Sequence, residues 1–327
     1  MPLRLTTYYK SKDIPDLPGN DIFHSTELFK IYEATKGYTP ILLVAYQNNE
    51  PVAKILATTR RSSRFFSPSL IKKCDIYGNG EYFSQEIDQE EVFGVLLKHL
   101  TKEIFRTANL IEVRNLPTGL TGYKHFRTNK YFAMNWLRVR NSLHHDKPIE
   151  TRFSNSRIRQ IKKGIKNGAE ISEIHSLEEI QEFSKMLKRL YSVHLRKHFP
   201  HIEFFEHLEN WMGLTNQGNI FAVKHKGKII GGAVCVYSGE NAYLWFSGGM
   251  RKTYALQYPG VLAVWAALKK TQEKGFKHLE FMDVGLPFRK HTYRDFVLRF
   301  GGKQSSTRRW FKFKNNFINN ILLKLYR

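Results

Sequence analysis

Residues 42–57 read LLVAYQNNEPVAKILA, and residues 220–235 read IFAVKHKGKIIGGAVC. Each stretch is an apolar segment, a polar turn and a second apolar segment, which is the pattern of a β-hairpin. Residues 92–117 (VFGVLLKHLTKEIFRTANLIEVRNLP) and 260–287 (GVLAVWAALKKTQEKGFKHLEFMDVGLP) each combine an amphipathic helix, a short break and an apolar strand that ends in Leu-Pro. The order hairpin, helix, strand therefore occurs twice, and it predicts two copies of one α/β unit.

The length and the charge distribution also favour two domains. The chain has 327 residues, of which 42% are hydrophobic, and this suits two domains of ordinary size. We expect domain one to span residues 1–150 and domain two residues 151–327. The first half contains 21 basic and 16 acidic residues, whereas the second contains 31 and 13. This asymmetry favours a polyanionic partner for the second domain, such as RNA, phospholipid headgroups or a phosphate-rich cofactor, over a merely solvated basic surface.

The sequence shows no pattern for disulfides, a metal or a membrane span. Cys74 and Cys235 lack CxxC spacing, so we expect reduced thiols. No signal peptide and no apolar stretch of transmembrane length is seen, and we expect a cytoplasmic protein, with the inner face of the membrane as a second location. His194, His198 and His201 lack the glutamate of an HExxH motif, so packed or solvated histidines are favoured over a metal site.

A basic amphipathic helix is predicted between the two copies. The segment SNSRIRQIKKGIKNG, residues 154–168, places Ile158, Ile161 and Ile165 on one stripe and covers the rest with lysine and arginine. Ser156 is the expected N-cap of this helix, and Asn167-Gly168 is its expected end. A second helical stretch is predicted from Leu177 to Phe199, and an amphipathic segment from Phe317 to Tyr326.

Together these segments resemble the Fem family of peptidoglycan-bridge aminoacyltransferases and related tandem-GNAT proteins. The resemblance is carried by SRIRQIKKGIKNGAEI, GGAVCVYSGENAYLWFSGG, GVLAVWAALKKTQEKGFKHLEFMDVG, FVLRFGG at 296–302 and, near the N-terminus, HSTELFKIYEATKG. It implies an α/β (α+β) architecture of two tandem GNAT-like domains with the acyl-CoA N-acyltransferase fold. Each domain would contain a mixed, mostly antiparallel sheet flanked by helices.

The resemblance also implies an acyltransferase activity. The group transferred would come from acyl-CoA, such as acetyl-CoA, or from aminoacyl-tRNA, and the acceptor would be an amine on a cell-envelope precursor or similar molecule. A tRNA donor would account for the basic second half, because neutralisation of phosphates drives such binding. No metal is implied. The late lysine of the family falls on Val297 here, and Arg294 and Arg299 are candidates to replace its phosphate contact.

The candidate donor site lies where the helix of the second copy begins. Free backbone N–H groups and the helix dipole favour an anion at a helix N-terminus. Gln257 and Gly260 match the Arg/Gln-x-x-Gly pattern of GNAT domains, whereas Leu262 departs from its last position. The alternative is an ordinary loop before a buried helix. Arg294 and Arg299 are further donor-binding candidates, with a solvated basic edge as the alternative.

The candidate catalytic residue is Asp283, which follows the apolar strand of the second copy. A carboxylate at this place suits orienting an amine or accepting its proton, and a cap or a salt bridge is the alternative. Arg196, in an Arg-x-x-Phe stretch, and Lys30, on the opening helix, are implied by the resemblance to contact acceptor phosphates. The other acceptor-binding candidates are Trp245, Tyr254, Arg289 and Lys290. Core packing is the alternative for the two aromatic residues, and a solvated surface is the alternative for Lys30, Arg289 and Lys290.

Two functions of different classes follow from these residues. The first is the acyltransferase described above. The second is a non-catalytic protein with a decayed GNAT fold that binds nucleic acid or an anionic membrane surface. The second is motivated by Val297 at the lysine position and by the amphipathic segment Phe317–Tyr326 with basic neighbours.

Overall fold

The computed structural model describes residues 3–60, 72–116, 121–144, 146–191 and 199–326. The chain divides into two compact units, one formed by Met1–Trp136 with Ser306–Arg327 and the other by Leu137–Ser305. This division differs from the expected boundary between residues 150 and 151. Residues 137–150 belong to the second unit, and the C-terminal residues from Ser306 belong to the first.

The elements follow one another in the same order in both units. The first unit contains β1 (Arg4–Tyr8), α1 (Thr26–Ala34), β2 (Tyr38–Gln47), β3 (Glu50–Arg60), β4 (Lys73–Tyr77), β5 (Glu81–Tyr82), α2 (Gln89–Ile104), β6 (Leu110–Arg114) and α3 (Tyr123–Thr128). The chain continues with β7 (Phe132–Ser142), α4 (Asn155–Lys166), β8 (Ala169–Glu173), α5 (Leu177–Leu190), α6 (Ile202–Thr215), β9 (Gly218–His225), β10 (Lys228–Ser238) and β11 (Asn241–Gly249). It ends with α7 (Pro259–Glu273), β12 (His278–Phe281), α8 (Thr292–Leu298), β13 (Lys303–Phe313) and α9 (Asn316–Leu325).

Each unit has a mixed sheet with one parallel pair of strands. In the first unit β2 pairs antiparallel with β1 and β3, β3 pairs with β4 and β5, and β4 runs parallel to β6. In the second unit the order is β7-β12-β11-β10-β9-β8, and only the β11–β12 pair in it is parallel. The predicted α/β fold with two copies of one unit is confirmed.

Strand pairing explains where the two units divide. Residues Arg309–Phe313 of β13 pair antiparallel with β6, so the end of the chain completes the sheet of the first unit. Residues Val139–Ser142 of β7 pair antiparallel with β12 and therefore belong to the second. Backbone N–H and C=O groups need partners, and the partner strand rather than the sequence position decides the unit.

The two predicted hairpins form β2–β3 and β9–β10. Their turns place Asn48 and Asn49 at φ values of 53° and 65°, and Lys226 and Gly227 at 51° and 75°. Positive φ at both central residues is the geometry of a two-residue hairpin turn whose twist matches that of the strands. Short polar residues and glycine adopt this geometry at low cost, which is why these segments fold as hairpins.

The basic helix α4 differs from its predicted form in two ways. Its N-cap is Ser154, whose hydroxyl accepts a hydrogen bond from the Arg157 nitrogen at 3.4 Å, and not the expected Ser156. Arg157, expected on the solvated face, is buried, whereas Ile165 of the predicted apolar stripe is exposed. The Arg157 guanidinium is buried because it stacks over Phe296, at 4.3 Å from the ring centre, and donates to the carbonyl of the same residue at 2.9 Å.

Candidate active site

An opening in the sheet of the second unit lies between its two parallel strands. β11 pairs with β12 only from Asn241 to Leu244, and β12 ends at Phe281. β11 nevertheless continues to Gly249, with a bulge at Trp245 where its register against β10 shifts. β11 therefore has no β12 partner beyond Leu244, although β12 is paired along its whole length. In the first unit neither β4 nor β6 extends beyond the parallel pairing of Lys73–Tyr77 with Leu110–Arg114.

The N-terminus of α7 lies against the end of β11 that has no β12 partner. A β-carbon placed on Gly249 would lie 2.3 Å from the Gly260 nitrogen, and one on Gly231 would lie 2.8 Å from the Pro259 β-carbon. Such distances are shorter than any ordinary contact, so only glycine allows the helix to begin this close to the sheet. The first turn of α7 is thereby positioned at the opening between β11 and β12.

The N-terminus of α7 has no side-chain cap. The N-cap residue is Tyr258, in the left-handed conformation with φ of 47°, and it provides no side-chain cap. The first turn contains no acidic residue. Pro259 has no N–H, and the amides of Val261 and Leu262 donate to the Tyr258 carbonyl at 2.9 and 3.1 Å, so Gly260 contributes the first-turn amide without an acceptor in the helix. Free amides at the positive end of a helix dipole bind phosphate groups. The left-handed conformation is also strained for a bulky residue, as is common at functional sites.

The equivalent helix of the first unit, α2, has the opposite character. The side chain of its N-cap, Asp88, accepts hydrogen bonds from the nitrogens of Glu90 and Glu91 at 3.0 and 3.1 Å. Its first-turn amides are therefore satisfied, and its three carboxylates repel an anion. Of the two equivalent helices, α7 is the one that suits a phosphate-bearing ligand.

Polar side chains gather near the end of β12. Asp283 is exposed two residues after the strand, and Tyr191 and Tyr293 are near enough for its charge to affect them. The Tyr293 hydroxyl lies 3.1 Å from the hydroxyl of Ser247, which is on the part of β11 without a β12 partner. Burial, together with the charge of Asp283, raises the pKa of both tyrosines, so both phenols stay protonated at neutral pH. The site thus combines a carboxylate with phenolic proton donors.

Arg294 holds the loop that carries Asp283. This side chain is buried and donates to the carbonyls of Val284 at 3.4 Å, Leu286 at 2.8 Å and Arg289 at 2.6 Å. These hydrogen bonds engage both terminal nitrogens of the guanidinium. Arg294, a predicted donor-binding residue, therefore acts on the loop between β12 and α8, and it positions the catalytic candidate.

The other predicted site residues are dispersed. The Gln257 side chain lies 3.4 Å from the Asn167 carbonyl, next to the end of α4. Arg299, Arg289 and Lys290 are exposed in the second unit, and Lys30 is exposed on α1 of the first unit. Arg196 lies outside the described residues, as do His194 and His198. Gly260 lies against Gly249 of β11, and Asp283 lies near Tyr191 and Tyr293. Gln257 contacts the end of α4 instead.

Trp245 and Tyr254 both make packing contacts, which fits the alternative of core packing for these two acceptor-binding candidates. Trp245 packs edge-to-face on Phe204 of α6, at 5.4 Å between ring centres. Tyr254 packs near His225, at 6.0 Å, and against the apolar cluster that contains α7. On β10, Gly231 lies against Pro259 of α7 and the next residue, Gly232, lies against Phe183 of α5. Successive residues of a strand face opposite sides, so α5 and α7 cover opposite faces of the sheet, and Tyr254 lies on the side of α7. Packing in the core explains both aromatic residues.

Sequence reasoning did not find Tyr191, Ser247 and Tyr293. Ser247 was within the hairpin segment that carries the Fem resemblance, so its location was visible although its role was not. Tyr293 and Ser247 are 46 residues apart in sequence and meet only because α8 folds back towards β11. No local spacing signals such a contact. Within the described residues, no group of three or more His, Cys, Asp or Glu side chains is arranged to hold a metal ion.

Comparison with known proteins agrees with this geometry. A model of the acetyltransferase (GNAT) domain family matches residues 155–290. The fold is similar to that of FemX, with a TM-score of 0.63 and 11% identity over 94% of this chain and 95% of that one. It is also similar to a tandem GNAT protein from the clavulanic acid biosynthesis pathway, with a TM-score of 0.56 and 8% identity over 95% and 98% of the two chains. L-PGS from Bacillus licheniformis has a TM-score of 0.52 and 10% identity over 95% and 98%. No curated protein matches the sequence.

The fold and the site define a class. The chain has the Fem-like tandem-GNAT architecture predicted from its sequence, and its second half contains a GNAT acetyltransferase domain. The predicted tandem-GNAT fold is confirmed by these matches, and the match to the acetyltransferase (GNAT) family model lies within the second unit.

Proposed function

We propose that the second unit transfers an acyl or aminoacyl group from a phosphate-bearing carrier to an amine on a cell-envelope precursor. The observation that carries the proposal is the end of β11 that extends beyond its pairing with β12, next to the uncapped N-terminus of α7. The carrier phosphates would bind at the first turn of α7, and the acyl chain would enter between the two strands. Asp283 lies at the end of β12 that borders this opening.

The reaction is a direct displacement at the carbonyl carbon. The amine nitrogen attacks this carbon, a C–N bond forms, and the C–S bond of a thioester or the C–O bond of an aminoacyl ester breaks. Main-chain amides of β11 beyond Leu244 would stabilise the oxyanion that develops. Asp283, directly or through water, takes the proton of the amine. The Tyr293 hydroxyl, kept protonated by its raised pKa, supplies a proton to the leaving thiolate or alkoxide.

Two carriers fit this chemistry. Acyl-CoA and aminoacyl-tRNA both carry phosphates, which in acyl-CoA are joined to the thioester through the pantetheine arm, and the basic second half of the sequence suits either. The amine acceptor on a cell-envelope precursor is supported by the Fem resemblance of the sequence and by the similarity of the fold to FemX and L-PGS.

The test is a transfer assay with both carriers. The protein is incubated with acetyl-CoA, longer acyl-CoAs or aminoacyl-tRNA and with a panel of amine acceptors, and products are identified by mass spectrometry. Release of CoA is followed with a thiol reagent, whose background from the protein is low because Cys74 and Cys235 are both buried. We expect transfer from one carrier, and we expect D283N and Y293F to reduce it without a change in melting temperature.

The salt dependence of binding distinguishes the carriers. Affinity for uncharged tRNA would fall steeply with salt, and R289Q/K290Q would reduce the slope of log K against log salt by about 0.7–0.9 for each phosphate that the variant no longer neutralises. K269Q/K277Q removes the same charge from exposed sites on other parts of the second unit and is the matched control. Stabilisation by acyl-CoA with a weak salt dependence would identify the thioester donor. Absence of transfer and of stabilisation with every carrier would refute the proposed function.

A further inference from the structure

The C-terminal helix α9 directs its apolar side chains outward. Phe317 and Leu325 are 74% and 71% exposed, and Ile318 and Ile321 are 43% and 46% exposed. At 3.6 residues per turn these four side chains fall on one side of the helix, and Asn319, only 1% exposed, lies on the other. An amphipathic helix of a globular unit normally buries its apolar stripe, so this orientation needs an explanation.

The orientation of α9 is held by specific hydrogen bonds. The Asn319 side chain donates to the Lys130 carbonyl at 2.9 Å and accepts from the Phe313 nitrogen, also at 2.9 Å. The Asn315 side chain caps the helix by accepting from the Ile318 nitrogen at 3.1 Å. Rotation of the helix to bury its apolar side would break the two bonds of a buried amide, which is costly. These hydrogen bonds therefore keep the apolar face on the outside.

Basic residues surround this face without acidic partners. Lys314 precedes α9 and Lys324 lies on it, and both are exposed. Lys312 and Lys130 are close to each other, since the charge of Lys130 adds to burial in lowering the pKa of Lys312. The sequence from Phe296 to the end of the chain contains no aspartate or glutamate. Among the described residues, the ion pairs include none of these four lysines.

An exposed apolar face on a chain segment that has lysines and no carboxylate fits an anionic lipid surface. An anionic lipid bilayer offers negative headgroups for the lysines and acyl chains for the apolar side chains. A second copy of the same face would bring Lys314 and Lys324 against lysines with no carboxylate between them, which is unfavourable. No helix among the described residues is long and apolar enough to cross a membrane. α9 has 10 residues, whereas a spanning helix needs about 20, so binding through α9 would be binding to the surface of the bilayer.

We propose that α9 is a docking element for anionic lipid surfaces. Phe317, Ile321 and Leu325 enter the boundary between headgroups and acyl chains, while Lys314 and Lys324 contact the headgroups. The inference concerns a surface of the first unit and is independent of the transfer activity proposed for the second. It assigns to this helix a role in placing the protein on a membrane that contains phosphatidylglycerol or another anionic lipid.

The experiment measures binding of the full chain to vesicles of phosphatidylcholine with and without phosphatidylglycerol, by flotation and by titration. Three double variants are compared with the wild type, and circular dichroism verifies their folding. F317S/L325S removes apolar surface at constant charge, and K314Q/K324Q removes charge at constant apolar surface. L214S/L256S is the matched control, because both leucines are exposed, at 80% and 63%, and lie in the second unit.

We expect the wild type to bind the anionic vesicles and to bind neutral vesicles only weakly. K314Q/K324Q should weaken binding by about fivefold for each lysine, the usual attraction of one basic residue to an anionic surface. F317S/L325S should weaken it by at least about tenfold, because two largely exposed apolar side chains no longer enter the lipid. L214S/L256S should bind like the wild type.

Insertion is tested separately with an environment-sensitive dye on F317C. The native cysteines, Cys74 and Cys235, are buried, so labelling is selective. The dye should shift to the blue with anionic vesicles, and a dye on L214C should not. The proposal is overturned if the wild type does not bind, if it prefers neutral vesicles, or if the control variant loses as much affinity as the two test variants. It is also overturned if F317S/L325S only converts a dimer to a monomer in light scattering.

Discussion

Alanine at Gly249, with alanine at Gly260 as its control, tests whether the close approach of α7 to β11 builds the donor site. The two glycines face each other across the same contact but differ in the space available. A β-carbon on Gly249 would lie 2.3 Å from the Gly260 nitrogen and 2.8 Å from its α-carbon. A β-carbon on Gly260 would lie 3.8 Å from the Gly249 nitrogen and 4.0 Å from the Phe296 ring. The first distances require movement, and the second are ordinary contacts.

The size of the effect follows from these distances. Ordinary non-bonded separations are about 3.5–4.0 Å, so G249A must displace the start of α7 by about 1 Å. Overpacking of this kind costs about 1–3 kcal/mol of unfolding free energy. For a domain of this size each kcal/mol lowers the melting temperature by about 2–4 °C. G260A keeps its amide hydrogen and meets no clash, so its stability should equal or slightly exceed that of the wild type because alanine favours a helix.

The assay combines thermal unfolding with donor binding. We expect G249A to melt earlier and to lose stabilisation by the donor, because the amides of the first turn no longer face the opening. G260A should retain both the melting temperature and the donor response. A melting temperature of G249A equal to that of the wild type would refute the packing argument. Equal loss of donor binding in G249A and G260A would instead show that the amide geometry at the start of α7 is not what the donor recognises.

Three further predictions concern the chemistry and the ionic groups. Y293F should lower kcat about 10²-fold or more if the hydroxyl donates a proton, and kcat of the wild type should not fall up to pH 10, because the raised pKa of Tyr293 keeps it protonated. Asp75 pairs with surrounding cations that hold its pKa well below the usual range. Its contribution to stability is therefore present above about pH 4 and is lost as the pH falls further. In D75N the urea midpoint should change less between about pH 5 and pH 2 than it does in the wild type. R157M should lower the unfolding free energy by about 1–3 kcal/mol, because the Phe296 carbonyl loses its donor. R309M should lower it by about 1.5–3 kcal/mol, because Glu112 loses one charged hydrogen bond but keeps Lys73 and Arg114. Urea unfolding measures both.

The elements that the sequence predicted correctly are those with local causes. The turns at Asn48-Asn49 and Lys226-Gly227 favour positive φ within two residues, and the helical period that leads to α7 is contained in one segment. Such patterns depend on neighbours in the chain. The hairpins and helices were therefore visible without any tertiary information, and their repetition revealed the two units.

What the sequence did not predict depends on interactions between distant segments. Arg157 is buried because it meets Phe296, which lies 139 residues away. The last strand joins the first unit because Arg309 pairs with Arg114. Arg294 was expected to bind a phosphate, but its guanidinium donates to the carbonyls of Leu286 and Arg289. The sequence does not reveal these partners, because they are brought to Arg294 only when the loop after β12 folds around it. The chemistry of a side chain can be read from the sequence, but the group that it contacts depends on the tertiary fold.

The contrast between α2 and α7 shows how two copies of one fold come to differ in function. Both helices follow a hairpin and precede a strand that is parallel to the preceding one, and the backbone alone offers the same dipole at each N-terminus. Asp88 and two glutamates neutralise that dipole in the first unit, whereas Tyr258 leaves it uncapped beside Gly249 in the second. Both parallel strands end together in the first unit, whereas β11 continues past the end of β12 in the second. Because removal of the cap alone leaves the strands paired, D88A should lower the stability of α2 by about 1 kcal/mol and should not create a donor site in the first unit.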